Sequence, residues 1–136
     1  MIRQIQTVEL EIRSDEAGDG HYHAPRAGRQ HNGIDFACQV DAPVLSPVSG
    51  VVTKHGYAYP DDLSWRYIEI TDGEALRHRL FYVYPTIPIG YTVTPDTEVG
   101  RSQNITIRYP GQGMTPHIHY GVKNEDGEHL NPAVVA

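Results

Sequence analysis

The sequence predicts a mainly β protein: one small domain built as a folded antiparallel sheet, with long loops forming a groove. Apolar and polar residues alternate over residues 7–13, 66–71 and 77–84, the period of strands with one buried face. Ten prolines and 13 glycines interrupt the chain, and no helical apolar period runs for ten residues without one of them. A length of 136 residues suits a single domain, residues 1–136.

The chain opens with a predicted strand and loop, residues 1–19, ahead of a core over residues 20–134. In the strand, Val8, Leu10 and Ile12 share an apolar face, while Glu9 and Arg13 lie on the opposite, solvated face. Residues 14–20 are acidic and contain glycine, which predicts a loop.

The core is predicted to contain short strands separated by turns. Tyr82 and Tyr84 are placed on one face of the strand over residues 77–84, opposite Phe81 and Val83. Three prolines and Gly90 make residues 85–95 a loop. The predicted core strands cover residues 34–36, 44–45, 50–54, 66–71, 77–84 and 105–109, followed by a strand that carries His117 and His119.

His117 and His119 stand two residues apart near the end of the chain. Successive side chains of a strand point to opposite faces, so these two imidazoles share a face roughly 6–7 Å apart. One can bind a metal while the other acts on what the metal holds. A pair of solvated or hydrogen-bonded histidines is the alternative interpretation.

A second pattern places His31 four residues before Asp35. In a straight strand the two would be roughly 13 Å apart, too far to share one ion. Asn32 and Gly33 tolerate positive φ, so a tight turn or bulge there can bring both side chains to one point. With His119 they form a His/Asp/His set with room for a water, the composition of an open catalytic zinc site.

Several motifs together resemble the lysostaphin-type, LytM-like zinc endopeptidases. The resemblance covers roughly residues 20–134, nearly the whole chain. The motifs that carry it, in order, are His31-x-Gly33-Ile34-Asp35, residues 42–52, the glycine-bounded turn at residues 90–100, Pro116-His117-Ile118-His119-Tyr120, and residues 127–132 with Asn131-Pro132.

This resemblance implies a lysostaphin-like fold and a hydrolase that cuts peptide cross-links of bacterial peptidoglycan. One zinc per chain would be held by His31, Asp35 and His119, lowering the pKa of its water toward neutrality. His117 would take the proton from that water or stabilise the charged intermediate, since no HExxH motif supplies a glutamate base.

The same resemblance predicts substrate-binding residues before the first ligand. His21, His23 and Arg29 fall in the zone that borders the groove in this family. Solvated histidines or a second metal site are the alternatives for His21 and His23. The arginines at positions 26, 29, 77 and 79 lie on solvated faces or grip a substrate carboxylate.

Two positions depart from the family pattern. The family carries a second catalytic histidine in a Y-x-H motif, and Tyr84 stands at its place. A phenol can donate a hydrogen bond to an oxyanion, but with a reference pKa of about 10 it is a poor base. Tyr84 is therefore a predicted catalytic residue of reduced efficiency. Gly121 replaces the glutamate that follows the HxH pair in the family.

Composition limits the partners. A net charge of −6 argues against nucleic acid, and no stretch approaches the 18 apolar residues of a membrane span. One cysteine, Cys38, allows no internal disulfide. Residues 1–5 lack the features of a signal peptide. We therefore expect a protein made in the cytoplasm that reaches the wall after lysis, as a phage lysin, or as a virion component among phage structural proteins.

Two other functions compete with the endopeptidase. The first is a module of a phage particle that keeps the zinc but has lost efficient hydrolysis, and Tyr84 favours it. The second follows from residues 47–52, which resemble the hammerhead strand of biotinyl and lipoyl carriers. Lys54 there lacks the methionine flank of a biotinylation site, which argues against a carrier.

Overall fold

Antiparallel strands make up most of the described chain in the computed structural model. The structure describes residues 11–15, 18–22, 25–26, 29–30 and 32–135, so most of the strand predicted at residues 7–13 lies outside it. Every strand pairing in this part is antiparallel, which confirms the predicted mainly β fold. Within the described residues, no helix has the length and apolar character needed to cross a membrane.

The elements are short, apart from two ten-residue strands. In chain order they are β1 Glu11–Ile12, β2 Ser14–Asp15, β3 Gly18–Asp19, β4 Pro25–Arg26, β5 Arg29–Gln30, β6 Ile34–Ala37, β7 Pro43–Leu45, β8 Gly50–Tyr59, β9 Asp62–Thr71, β10 Arg77–Phe81, β11 Val83–Pro85, β12 Thr92–Val93, β13 Glu98–Ser102, the 3-10 helix η1 Ile105–Ile107, β14 His117–Lys123, β15 His129–Leu130 and the helix α1 Pro132–Val135.

Two sheets enclose the core. The larger has eight strands in the order β1-β6-β14-β10-β9-β8-β12, with β15 paired to β14, and the smaller has the order β11-β13-β7. Strand alternation sends one face of β14 into the core between them. The buried apolar side chains include Ile68, Ile70, Leu80, Ile118, Tyr120 and Val122 from the large sheet, and Val44, Val83 and Val99 from the small one.

The strand predicted over residues 77–84 is interrupted at Tyr82. Tyr82 has a φ of 66°, which ends β10 and sends β11 into the small sheet. As a result Leu80 and Val83 both reach the core. The prediction of one continuous strand with strict alternation is therefore wrong, because a left-handed residue shifts the alternation by one position.

The strand predicted over residues 105–109 is also wrong. The chain forms η1 there, with the Asn104 Oδ1 accepting a hydrogen bond from the backbone N–H of Thr106 at 3.1 Å. This capping interaction gives the backbone a local partner that a strand would have to find in a neighbouring strand. The turn residues 110–113, which follow, then lead into β14.

Hydrogen bonds link three polar side chains, the partly buried Asp72, His78 on β10 and Tyr120 on β14. His78 is fully buried, with its Nε2 2.8 Å from Asp72 Oδ2 and its Nδ1 2.7 Å from the Tyr120 hydroxyl. Since a carboxylate only accepts, Nε2–H donates to Asp72 and Nδ1 accepts from the tyrosine. Burial lowers the pKa of His78 despite the opposing pull of Asp72. The neutral imidazole is therefore part of the folded state.

We expect the protein to lose stability as the pH falls below about 6.5. The unfolded chain binds a proton to His78 at a higher pH than the folded chain does. The free energy of unfolding therefore decreases as the pH is lowered below about 6.5. Burial opposes ionisation of Asp72, but hydrogen bonds from His78, Leu76 and Glu74 outweigh it and lower its pKa, which adds a loss only at more acidic pH. The measurement is the melting temperature of the unmodified chain and of His78→Gln at pH values between 5 and 7.5. An equal dependence of melting temperature on pH in both proteins would contradict the role of His78.

Candidate metal centre

Two of the predicted ligands lie side by side on the neighbouring strands β6 and β14 of the large sheet. Asp35 on β6 is paired directly with His119 on β14. The Asp35 Oδ1 is 2.8 Å from the His119 Nδ1. Asp35 is only 4% exposed, whereas His119 is half-buried. Strand register has thus brought together residues 84 positions apart in the chain.

His117 lies beside the same carboxylate with a defined tautomer. Its Nδ1 is 2.8 Å from the backbone oxygen of Thr115, and because a carbonyl only accepts, Nδ1 carries the proton. Nε2 is then the unprotonated nitrogen, 3.7 Å from Asp35 Oδ2. Burial lowers the pKa of His117. The negative charge of Asp35 raises it, whereas the charges of Arg13 and His119 lower it. His117 therefore presents a neutral nitrogen to the site.

Arg13 enters this site from the N-terminal segment. Its Nη1 donates to the His117 Nε2 at 3.2 Å and lies 3.4 Å from Asp35 Oδ2, and its Nε is 3.2 Å from Asp15 Oδ2. The side chain is 4% exposed. The prediction of a solvated face for Arg13 is wrong, because backbone hydrogen bonds join Arg13, Gly20 and Asp35 and carry the guanidinium inward.

Gly33 is needed for space. A Cβ at this position would stand 2.7 Å from the His119 Nε2 and 2.4 Å from the Tyr120 backbone oxygen. Gly33 is not among the glycines with positive φ. The predicted reason for glycine at this position is therefore wrong: it allows the chain to approach His119 closely rather than to adopt a left-handed turn.

Tyr82 and Tyr84 occupy different surroundings. The Tyr82 ring lies edge-on to His117 with centroids 5.7 Å apart, and burial raises the pKa of Tyr82 to about 12. Tyr84 is 54% exposed and stacks over Arg66, whose guanidinium carbon is 5.7 Å from the ring centre. Tyr82, which was not among the predicted site residues, thus contacts His117.

The remaining predicted residues are only partly described. His31 and His23 lie outside the described residues, as does the side chain of Arg29 on β5. His21 is exposed. In the part of the chain that the structure covers, no group of three His, Cys, Asp or Glu side chains forms a metal site. The roles of all these residues remain predictions.

The donor chemistry nevertheless fits zinc. A carboxylate and an imidazole nitrogen lie in contact, with a second imidazole beside them, and these are the groups that zinc binds in proteins. Asp35 is buried away from the apolar core and pairs with positive charge from Arg13. A buried carboxylate that attracts a guanidinium can also attract a metal cation.

A family model and two relatives match most of the chain. The sequence model described as peptidase family M23 matches residues 29–132. An uncharacterised protein of Mycobacterium bovis and another of Mycobacterium tuberculosis are each 30% identical over 129 residues, 90% of this chain. The chain spans 28% of the length of these two relatives.

Solved structures share the fold. Lysostaphin from Staphylococcus simulans superposes with a TM-score of 0.66 at 20% identity, covering 90% of this chain and 49% of that one. A mutant catalytic domain of the prophage-encoded M23 protein EnpA from Enterococcus faecalis gives 0.68 at 19% identity, covering 97% and 95%. The predicted lysostaphin-like fold is therefore confirmed.

Proposed function

The chain belongs to peptidase family M23, and on this basis we propose that it is a zinc-dependent endopeptidase hydrolysing peptide cross-links of bacterial peptidoglycan. The single observation that carries the proposal is the contact between Asp35 and His119 with His117 beside them. A binding module has no chemical need for a neutral imidazole next to this pair of ligands.

The proposed ligands are His31, Asp35 and His119, with one zinc per chain. Zinc bound there would supply Lewis acidity and a water of lowered pKa. His117 would accept a proton at Nε2 while its Nδ1–H stays bonded to the Thr115 carbonyl. Arg13 donates a hydrogen bond to this Nε2, so a water that gives its proton to His117 must first displace the guanidinium.

Purified sacculi test the reaction. We expect the protein to release peptide fragments from sacculi in the presence of zinc, and none in the presence of a chelator, with the fragments identified by mass. Sacculi cross-linked through glycine bridges and through diaminopimelate are both needed, because the proposed reaction covers either type of cross-link. Absence of released peptide from both types would contradict the proposal.

A weakened, zinc-holding module is the second candidate, and Tyr84 at the position of the family's second histidine favours it. We expect Tyr84→His to leave turnover equal or higher, because an imidazole near neutral pH is a better proton acceptor than a phenol. Tyr84 is exposed, so the variant should fold. Turnover on sacculi is the measurement, with the exposed Tyr91→His as matched control. A collapse confined to Tyr84→His would show that the phenol has its own role.

We further propose a phage context, either as a lysin acting after host lysis or as a virion component that contacts phage structural proteins. A prophage-encoded relative of the same fold supports this proposal. Detection of the protein in purified particles, or its release only at lysis, would distinguish the two forms.

A further inference from the structure

We propose that a cationic face beside the predicted metal centre binds a free carboxylate of the substrate, so that the preferred cross-link is a carboxylate-bearing peptide rather than a glycine bridge. The cationic face consists of Lys54, Arg77, Arg79 and Lys123. The proposal rests on the proposed function for the reaction that follows binding. The binding itself is argued from the geometry of the face.

Strand register puts the four cations in two rows next to the row that contains His119. Directly opposite residues of neighbouring strands present their side chains on one face of the sheet. The first row is Asp35, His119, Phe81, Tyr67 and Gly56; the second is Gly121, Arg79, Glu69 and Lys54; the third is His129, Lys123, Arg77 and Thr71.

Contacts between side chains join the first two rows. The Phe81 ring lies 5.4 Å from the His119 ring and 4.6 Å from the Tyr67 ring. The Arg79 guanidinium carbon and the Lys54 Nζ lie 5.4 and 5.6 Å from the centre of the Tyr67 ring. The rings of Phe81 and Tyr67 thus connect the proposed metal ligand His119 with the cationic face.

The positive charge of this face exceeds its countercharge. Glu69, 6% exposed, is the carboxylate of the second and third rows, and its two oxygens already bind Arg79 Nε at 2.8 Å and the Thr53 hydroxyl at 2.8 Å. Four cations and one carboxylate leave three positive charges on a chain whose net charge is −6. Gly121, paired with Arg79, contributes no charge.

The cations repel one another. Burial lowers the pKa of Lys123. The neighbouring positive charges lower it further, those of Arg79, Arg77 and Lys54, whereas the negative charge of Glu69 raises it. A ligand carboxylate among these groups would relieve that repulsion. The guanidinium of Arg79 is also partly shielded from water, with its side chain 18% exposed, which strengthens a charge-assisted hydrogen bond.

The distance from the ligands suits a peptide substrate. Two residues along a strand cover roughly 7 Å, so the cationic rows lie about 7 and 14 Å from the row of His119. An extended peptide advances by about 3.4 Å per residue. The carboxylate would thus belong to a residue within about four positions of the bond that is cut, and a glycine bridge has no side-chain carboxylate to place there.

Binding to a pair of matched ligands tests this inference without hydrolysis. The full chain is titrated by calorimetry, with chelator present, against a diaminopimelate-containing muropeptide dimer and against the same dimer with that carboxyl amidated. We expect the free acid to bind about tenfold more tightly, the size of one charge-assisted hydrogen bond.

Charge reversal on the cationic face should remove this preference. Lys123→Glu and Lys54→Glu are expected to bring the acid-to-amide affinity ratio close to one. Lys54 is exposed, so Lys54→Glu should fold and can serve as the test if Lys123→Glu does not fold. Arg101→Glu is the matched control, since Arg101 lies on β13 of the other sheet and pairs with Asp41, and its ratio should equal that of the unmodified chain.

Equal affinity for acid and amide, or a preference that survives both reversals, would overturn the inference. Cleavage assays separate this outcome from failure of the proposed reaction. A carboxylate preference without release of peptide from any sacculus contradicts the proposed function alone. Release from glycine-bridged sacculi without a carboxylate preference contradicts the cationic subsite alone.

Discussion

Asp35→Ala and His119→Ala are expected to lose bound zinc and, with it, all measurable hydrolysis. The unmodified chain should bind one zinc, because the two side chains lie 2.8 Å apart and supply an oxygen and a nitrogen to the same point. Elemental analysis of the purified variants and turnover on sacculi are the measurements. Full retention of zinc by both variants would refute the ligand assignment.

Stability must be separated from metal binding at Asp35. Removing this carboxylate leaves the buried guanidinium of Arg13 with Asp15, and breaking a buried ion pair costs about 3–5 kcal/mol. Asp35→Asn keeps the volume of the side chain and serves as a second variant. Asp61→Ala removes an exposed carboxylate that pairs with Arg108 and is the matched control.

His117→Ala should keep zinc and lose hydrolysis by a factor of about 10²–10⁴, the usual contribution of a general base. The effect is large because Nε2 of this imidazole is unprotonated and lies beside the proposed ligand Asp35. Zinc content and turnover, measured on the same preparation, separate this role from that of a ligand.

His117→Gln fills more of the space that the alanine variant leaves and should behave in the same way. His55→Gln is the control for this variant. His55 also forms a hydrogen bond with a backbone carbonyl, that of Ile87 at 2.7 Å, but it lies on β8, which does not carry the histidine pair. Unchanged turnover in both variants of His117 would remove its role as the base.

Local pattern was enough to predict the strands around the site. Alternation fixed the opposite faces of β9 and β14, and it placed His117 and His119 on one face, where the structure finds both beside Asp35. The mainly β fold follows from the same alternation, whereas the family is indicated by the resemblance of its motifs. These features depend on neighbours two to four positions apart in the chain.

The rest depends on contacts that local pattern does not encode. Alternation predicts a solvated face for Arg13, and only its backbone pairing with Gly20 and Asp35 brings it to His117. Tyr82 reaches the same histidine because of one left-handed residue, which β propensity alone did not reveal. The cationic face needs the register of four strands, which is set by the packing of the whole sheet.

The polar chain from Asp72 through His78 to Tyr120 bears on the proposed catalysis although it lies on the opposite side of the sheet. Tyr120 follows His119 directly, so the hydrogen bond from its hydroxyl to His78 holds the strand that carries both site histidines. A fully satisfied polar network in a core resists displacement. For the proposed reaction the imidazoles are thus preorganised, and aligning them with a substrate would need little reorganisation energy.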